Sequence, residues 1–373
     1  MVTAVRHAPL PDPFRMTHGG ELRRAQVAYE CWGELNKDRS NAILLFTGLS
    51  PPAHAASSAE NPEDGWWEKM IGPGRAIDTD RFFVMCVNSL GSCFGSTGPA
   101  SLNPATGKAY RLDFPELAIE DIARAGYEAA RSLGIERLDC VMGCSLGGMV
   151  VVAFAAVIPD GARRLVSISG SAASSPFAIA LRSVQREAVM SDPAWQRGNY
   201  ADTERGPQAG MRIARKLGTI TYRSADEWRG RFARSGLTPQ GKQAVSRALQ
   251  RVPEGFGPRF AVETYLETQA EKFVRVFDPN CYLYLSRAMD CFDIADYGDE
   301  DNTLARAGLS SALVIGVESD FLFAIEEQAG IAAHLTAAGV ATTFARLPSI
   351  EGHDAFLVDL ARFDAAIRSF LDA

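Results

Sequence analysis

Short apolar runs rich in β-branched residues alternate with segments of helical periodicity over most of this chain. The predicted strands are Gln26–Trp32, Ala42–Thr47, Phe82–Val87, Leu138–Gly143, Leu165–Ser169, Ala312–Val317 and Thr342–Leu347. The predicted helices are Leu117–Leu133, Leu146–Val157, Glu326–Ala338 and Phe356–Leu371. Because parallel strands need crossover connections, this alternation predicts an α/β fold: a mostly parallel sheet with helices on both faces.

The middle of the chain follows a different pattern. From about Ala173 to Tyr297 the strand signals fade, and charged helical stretches such as Phe177–Val189 and Gln208–Leu217 replace them. We interpret this part as a helical lid inserted into a single α/β core. The predicted organisation is a first core part at residues 1–172, a lid at 173–297 and a second core part at 298–373.

Composition and charge exclude several functional classes. The chain has 373 residues, of which 47% are hydrophobic and 22% charged, and these fractions are typical of globular proteins rather than disordered or fibrous ones. The net charge of −7 argues against a nucleic-acid-binding face. The seven cysteines form no CxxC pair, and no apolar leader is present in the first twenty residues. We therefore expect free thiols and a cytoplasmic location.

One uncharged stretch needs a separate interpretation. Residues 140–159 contain no charged side chain and would be long enough for a membrane span. However, Gly143, Gly147 and Gly148 interrupt its first half, and glycines in such positions are typical of tight turns. We therefore interpret the stretch as a buried strand, a tight turn and a buried helix, and we expect no association with a membrane.

The sequence around Ser145 matches a nucleophile motif. Gly143-Cys144-Ser145-Leu146-Gly147 has the form G-x-S-x-G and lies between a predicted strand and a predicted helix. In the α/β-hydrolase fold, this motif places a serine on a sharp strand-to-helix turn. The hydroxyl then lies at a helix N-terminus, where backbone N–H groups can stabilise an oxyanion. We predict that Ser145 is a catalytic nucleophile; the alternative is a glycine-rich turn without catalytic function.

A serine nucleophile requires a general base, and the chain has five histidines. Two of them lie near the N-terminus, His334 lies in a predicted helix, and His54 lies in the loop after the second predicted strand. His353 lies in a loop between the last predicted strand and the last predicted helix. Since the chain order in α/β-hydrolase folds is serine, acid and then histidine, we predict that His353 is the base.

The acid that orients the histidine is expected after a strand between Ser145 and His353. Asp320 follows the sixth predicted strand, and we predict that it fixes the imidazole tautomer. Glu318, which lies nearer the end of that strand, and Asp354, which adjoins the histidine, are the alternatives.

Two backbone N–H groups are predicted to form the oxyanion hole. In this motif one donor belongs to the residue after the nucleophile, and the other belongs to a loop after an early strand. The corresponding residues are Leu146 and, in the segment Thr47-Gly48-Leu49-Ser50, Leu49.

Four longer segments carry a more specific signal: GCSLGGM, GSCFGSTGPASLNPATGKAYRLDFPELAIEDIARA, DGWWEKMIGPGRAIDTDRFFV and FDPNCYLYLSRAMD. They resemble the homoserine/serine O-acyltransferase family, and the resemblance extends from about Gly19 to Leu371. It implies an α/β-hydrolase core with a helical lid and a homodimer. It also implies transfer of an acyl group from acyl-CoA, a co-substrate rather than a bound cofactor, to an amino-acid hydroxyl.

The resemblance also implies the roles of individual residues. Ser145, Asp320 and His353 match the catalytic triad of the family. Arg215 and Asp354 match its amino-acid-binding positions. No metal is implied.

Two further segments, TGLSPPAHA and RKLGTITYRSADEW, look most like the serine O-succinyltransferases of this family, which act in cysteine biosynthesis. The homoserine-acetylating members, which act in methionine biosynthesis, typically have histidine-alanine-leucine where this chain has Thr47-Gly48-Leu49. We therefore expect succinyl-CoA and L-serine as substrates. The alternatives are acetyl-CoA as the donor and L-homoserine as the acceptor.

A pair of lid arginines bears on the choice of acyl group. Arg182 and Arg186 are four residues apart and therefore share one face of a predicted helix. Succinyl-CoA carries a distal carboxylate that acetyl-CoA lacks, and a guanidinium is a suitable bidentate partner for it. By the resemblance, Arg186 is predicted to select the acyl group. A solvated lid face or a contact with a CoA phosphate is the alternative.

Two other functions share parts of this sequence pattern. A serine esterase would have the same triad, because it differs only in using water as the acceptor, and only the family motifs favour transfer. A phosphate-binding loop at Thr106–Tyr110 is excluded, because the Walker A motif requires serine or threonine after the lysine and Ala109 follows Lys108.

Overall fold

The computed structural model describes residues 4–200, 206–237 and 257–373. The strands are β1 Arg6–Pro9, β2 Phe14–Arg15, β3 Glu21–Leu22, β4 Gln26–Trp32, β5 Ala42–Phe46, β6 Ile71–Gly72, β7 Ile77–Asp78, β8 Phe83–Val87, β9 Leu138–Cys144, β10 Ala162–Ile168, β11 Ser311–Val317 and β12 Ala341–Leu347. Eight of them form one sheet in the order β1-β4-β8-β5-β9-β10-β11-β12. Only the pairs β1/β4 and β4/β8 are antiparallel, and the other pairs in this sheet are parallel.

The helices of the described residues are α1 Ile119–Ser132, α2 Leu146–Val157, α3 Pro176–Met190, α4 Gln208–Thr221, α5 Ala225–Phe232, α6 Ala261–Val274, α7 Pro279–Cys291, α8 Glu300–Ala305, α9 Ile325–Ala337, α10 Ala355–Val358 and α11 Leu360–Asp372. Helices α1, α2 and α9 pack on one face of the sheet, whereas α11 packs on the other face. The predicted fold class, an α/β-hydrolase fold with a mostly parallel sheet, is confirmed.

Two of the differences between the predicted and the observed elements lie near the ends of the chain. The predicted last helix, Phe356–Leu371, consists of two helices, because the chain bends at Asp359, where φ is −95° and ψ is +50°. Strand β1 has no counterpart in the prediction. It has only four residues, of which three are exposed, so it shows too little of the alternation on which a strand prediction depends.

The uncharged stretch at residues 140–159 forms most of β9 and all of α2. Both elements are almost entirely buried, which explains why the helix is apolar on every side. In the described part of the chain, no helix combines the length and the apolar character that crossing a membrane would require.

Helices α3 to α7 lie in the chain between β10 and β11, in the region predicted to be a lid. Helix α3 packs against α4 and α7, and α4 packs against α6. Arg212 in α4 forms ion pairs with Glu267 and Glu271 in α6, the second at 2.7 Å. Parts of the predicted lid, residues 201–205 and 238–256, lie outside the described residues. The predicted boundaries at 173 and 297 therefore stay a prediction.

Candidate active site

Ser145 lies on the turn between β9 and α2, with φ +57° and ψ −117°. A conformation of this kind costs a residue with a Cβ atom about 1–3 kcal/mol. The neighbouring glycines allow the tight turn. A Cβ atom at Gly147 would lie 2.3 Å from the carbonyl oxygen of Phe46 in β5, and one at Gly143 would lie 2.2 Å from that of Gly147. The spacing G-x-S-x-G is thus required by the close approach of the backbone segments.

The structure brings Ser145, His353 and Asp320 into one chain of hydrogen bonds. His353 Nε2 lies 2.7 Å from Ser145 Oγ, and His353 Nδ1 lies 2.7 Å from Asp320 Oδ2. The other oxygen of Asp320 accepts the backbone N–H groups of Leu322 and Phe323, at 3.0 and 2.9 Å. With its acceptor sites used in this way, the carboxylate is held in one orientation and fixes the imidazole.

The electrostatics of His353 suit a general base. Its side chain is 3% exposed, and its ring stacks on Phe323 with a centroid distance of 4.9 Å. Burial alone would lower the pKa of His353, but the charge and the hydrogen bond of Asp320 outweigh it, so the pKa lies above its usual value. The imidazole therefore gains proton affinity where it faces Ser145.

The alternative acid, Glu318, lies elsewhere. It is exposed, and its Oε1 accepts a hydrogen bond from Arg346 Nε at 2.8 Å on the surface of β12. Asp354 also has a different partner, since Arg223 Nε lies 3.3 Å from its Oδ2. Of the three carboxylates considered, only Asp320 contacts the ring of His353.

The two predicted oxyanion donors lie at the same end of the sheet. Leu146 is the first residue of α2, so its N–H has no acceptor within the helix. Leu49 follows β5, in a loop that passes close to the nucleophile, because a Cβ atom at Gly48 would lie 3.8 Å from the Cβ of Ser145. Leu49 and Ser145 line one cavity.

This cavity lies between the core and the lid. Among its lining residues are Leu49, Ser145 and Phe323 from the core and Arg182, Tyr222 and Ser286 from the region predicted to be the lid. Side chains from the region predicted to be the lid therefore cover Ser145, and they can exclude water from an ester formed on it.

Two residues with charged side chains, Arg215 and Asp354, contact Tyr222. Arg215 Nη1 donates to Ser50 Oγ at 3.1 Å, and its guanidinium lies 5.6 Å from the centre of the Tyr222 ring. Its buried Nε has no hydrogen-bond partner among the described residues. The Asp354 N–H donates to the Tyr222 carbonyl at 3.0 Å. Burial raises the pKa of the Asp354 carboxyl, against the opposing effect of Arg223.

Beside the cavity, two arginines share one carboxylate. Arg182 Nε lies 2.5 Å from Asp290 Oδ1, and Arg186 Nη1 lies 2.6 Å from Asp290 Oδ2. Arg186 also donates to Ser286 Oγ at 2.9 Å. Asp290 is the only carboxylate within ion-pair distance of either guanidinium in the described part of the chain. The cluster therefore carries one excess positive charge.

The position of Arg182 was missed by the sequence reasoning, which favoured Arg186. Arg182 lines the cavity that contains Ser145, whereas Arg186 lines a separate outer groove and reaches the cavity only through Ser286. The spacing of the two arginines placed both on one helix face but could not tell which one faces the nucleophile. Only the packing of α3 on α7 decides it.

No group of His, Cys, Asp and Glu side chains that could hold a metal ion is present in residues 4–200, 206–237 and 257–373. The polar groups around Ser145 are the triad, the residues Arg215 and Asp354, and the Arg182–Arg186–Asp290 cluster. Such an arrangement can form and transfer an ester on the serine.

Comparison with known proteins decides the family. A family model for the alpha/beta hydrolase fold matches residues 41–357. A serine O-succinyltransferase of Stenotrophomonas maltophilia (strain K279a) is 57% identical over 370 residues, covering 99% of this chain and 97% of that protein. The chain belongs to the serine O-succinyltransferase family. It is thus a member of an acyltransferase family with the α/β-hydrolase fold.

Solved structures extend the comparison beyond serine O-succinyltransferases. The crystal structure of a homoserine O-acetyltransferase from Bacillus anthracis has a TM-score of 0.87 and 26% identity, covering all of this chain and 99% of that one. The crystal structure of esterase E22 has a TM-score of 0.85 and 27% identity, covering 98% and 99%. The shared backbone therefore serves both acyl transfer and ester hydrolysis, and side chains must separate the two.

Proposed function

We propose that this enzyme transfers the succinyl group of succinyl-CoA to the side-chain hydroxyl of L-serine through an ester on Ser145. The observation that carries the proposal is the hydrogen-bonded chain Ser145–His353–Asp320, whose serine lines a cavity together with Arg182. The full-length similarity to serine O-succinyltransferases supports the same reaction. The product would belong to cysteine biosynthesis, as the resemblance implies. The cytoplasmic location and the homodimer stay predictions.

In the first half-reaction, His353 Nε2 accepts the Ser145 proton while Ser145 Oγ attacks the thioester carbonyl. The N–H groups of Leu49 and Leu146 stabilise the oxyanion that develops. When the carbon–sulfur bond breaks, the His353 imidazolium gives its proton to the leaving thiolate. Free CoA departs, and Ser145 carries the succinyl ester.

In the second half-reaction, the hydroxyl of L-serine takes the place of CoA. His353 removes the proton from that hydroxyl, the hydroxyl oxygen attacks the ester, and the imidazolium returns a proton to Ser145. Exclusion of water by the lid favours the amino acid as the acceptor.

The acceptor is a zwitterion and needs one partner of each charge. Arg215, whose buried Nε lacks a partner among the described residues, is suited to the α-carboxylate. Asp354 is suited to the α-ammonium, because a cation beside it would offset the burial that raises the pKa of its carboxyl. Tyr222 lies near both residues, and burial raises the pKa of its hydroxyl, which therefore stays neutral.

The distal carboxylate of the succinyl group is assigned to the Arg182–Arg186–Asp290 cluster. Arg182 is 6% exposed and lines the cavity, so it is placed to contact that carboxylate. Arg186 contributes the second positive charge, since Asp290 can offset only one of the two. An acetyl group would leave this charge without a partner, so the cluster favours succinyl-CoA.

The test is a matrix of succinyl-CoA and acetyl-CoA against L-serine and L-homoserine, with kcat/KM for each pair and a control that contains only water. Succinyl-CoA with L-serine should give the highest kcat/KM. Without an amino acid, CoA release should stop after about one equivalent per active site. A higher kcat/KM with acetyl-CoA or L-homoserine would assign the enzyme the reaction of another member of the family. Continued release of CoA in water alone would identify an esterase, which is the second candidate function because the fold is similar to that of esterase E22.

A further inference from the structure

A buried ion pair lies next to the loop that carries Leu49 and has no part in the mechanism described so far. Glu30 is in the middle of β4, and its side chain is 2% exposed. His54 is in the loop after β5, with a side chain that is 14% exposed. His54 Nδ1 lies 2.8 Å from Glu30 Oε2. A carboxylate buried to this degree in a sheet is costly unless its partner is fixed.

Three polar groups lie around the ring of His54. Nδ1 lies 2.8 Å from Glu30 Oε2, and Nε2 lies 2.9 Å from the carbonyl oxygen of Glu63. Asn61 Nδ2 lies 3.2 Å from Nδ1 and 3.3 Å from Nε2, so both ring nitrogens have polar neighbours. Burial would lower the pKa of His54, but the hydrogen bonds and charges of Glu30 and Glu63 outweigh it and raise the pKa.

The segment between His54 and Leu49 is short and stiff. It consists of Ser50, Pro51, Pro52 and Ala53. Each proline ring fixes its own φ angle near −65°, so little backbone freedom separates the histidine from the oxyanion donor. Beyond His54, its carbonyl accepts the Trp66 N–H at 3.2 Å.

The two ends of this segment are held by different contacts. At the front, Gly48 passes the nucleophile with room for a Cβ atom at ordinary contact distance, so packing there leaves the loop some freedom. At the back, the ring of His54 is held by Glu30 in β4. The Glu30–His54 contact therefore ties the back of the loop, five residues from Leu49, to the sheet.

We propose that the buried Glu30–His54 pair is a positioning element that holds the Leu49 N–H where the oxyanion forms. The inference rests on the proposed acyl transfer through Ser145. Removing one oxyanion-hole donor costs about 10²- to 10³-fold in kcat. Because a displaced donor is not a deleted one, loss of the pair should lower kcat by about 10- to 100-fold.

The test uses His54→Gln and Glu30→Gln, with His334→Gln as the matched control. His334 also forms ion pairs, with Glu300 and Asp301, but it lies on the surface of α9. Two quantities are measured for each variant: kcat for acyl transfer and the inhibition constant of a small alkyl boronic acid. The boronate forms a tetrahedral adduct on a catalytic serine, and its oxygen occupies the oxyanion hole.

Both pair variants should lower kcat and weaken boronate binding by similar factors, with KM for L-serine and for succinyl-CoA within about twofold of wild type. The control should change neither quantity. The unfolding temperature is recorded for each variant, and if His54→Gln fails to fold, the isosteric Glu30→Gln decides the test.

Boronate binding and kcat within twofold of wild type in a folded pair variant would overturn the proposal, and so would a loss confined to KM. Ser145→Ala is run in the same assay. If that variant keeps its activity, the proposed function fails, and the outcome is distinct from a failure of the pair.

Discussion

The triad of the core and the arginine cluster of the predicted lid differ in how their charges are paired. In the core, Asp320 accepts three hydrogen bonds and His353 uses both ring nitrogens, so the charges of the triad are matched to their neighbours. In the lid, Arg182 and Arg186 share the single carboxylate of Asp290. The comparison teaches that the region with fully paired charges has the triad chemistry common to many hydrolases, whereas substrate selection is proposed for the region with surplus charge.

The largest effect should come from the core. In Asp320→Asn, an amide N–H can face His353 Nδ1, which must then accept, so Nε2 carries the proton and cannot take one from Ser145. We expect kcat to fall by about 10⁴-fold, as for the same change in other triads. Glu318→Gln is the matched control and should leave steady-state kcat unchanged, because Glu318 pairs with Arg346 on the surface. A greater loss in Glu318→Gln would reverse the assignment of the acid.

A smaller and more selective effect should come from the lid. In the proposed complex, Arg182→Leu removes a charged hydrogen bond to the distal carboxylate, worth about 1.5–3 kcal/mol. The kcat/KM for succinyl-CoA should fall about 10- to 150-fold, with little change for acetyl-CoA. Arg186→Leu should cause a smaller loss of the same kind, because Arg186 reaches the cavity only through Ser286.

Two results would contradict this division of roles. A larger selective loss in Arg186→Leu would make Arg186 the direct ligand of the acyl carboxylate. Equal losses with both acyl-CoAs would mean that the arginines support CoA binding or the lid fold instead of acyl selection.

The smallest expected effect is a shift in the pH dependence of Ser145 acylation, to which both regions contribute. Because His353 must be neutral to act as a base, and because its pKa is raised, the rate of Ser145 acylation should fall as pH drops below that raised value. The nearby Asp354 raises the pKa of His353, whereas Arg182 lowers it. Asp354→Asn should therefore shift the acidic limb to lower pH, and Arg182→Leu should shift it to higher pH.

This shift is measured with p-nitrophenyl acetate as the acyl donor, since that ester needs neither a distal carboxylate nor an amino acid. Glu318→Gln again serves as the control. Identical profiles in all variants would mean that a group other than His353 governs the limb.

The core was predictable because its signals are local in sequence. Helix α2 has the predicted bounds, since a buried strand, a glycine turn and an uncharged run follow one another without a gap. His353 could be selected by elimination and chain order, and the structure places it between Ser145 and Asp320. The strained backbone at Ser145 is itself encoded in the adjacent glycines.

The lid side of the site was less accessible, because its contacts join residues that are far apart in the chain. Asp290 is 108 residues from Arg182, and no spacing rule connects the two. The Glu30–His54 contact joins a strand to a loop 24 residues away. The histidine could be placed in its loop from the sequence, but its partner depends on the order of strands in the sheet. Such contacts arise from tertiary packing and not from periodicity.

The backbone of Ser145 has a consequence for resistance to heat. Its φ of +57° is a conformation that glycine adopts with little penalty and serine does not. The folded state therefore holds part of its free energy as strain at the one residue that must carry the acyl group. A Ser145→Gly protein should melt at a higher temperature than the active enzyme while being unable to form the ester. Selection for thermal stability alone would favour glycine at position 145. The serine found there is therefore explained by catalytic activity and not by stability.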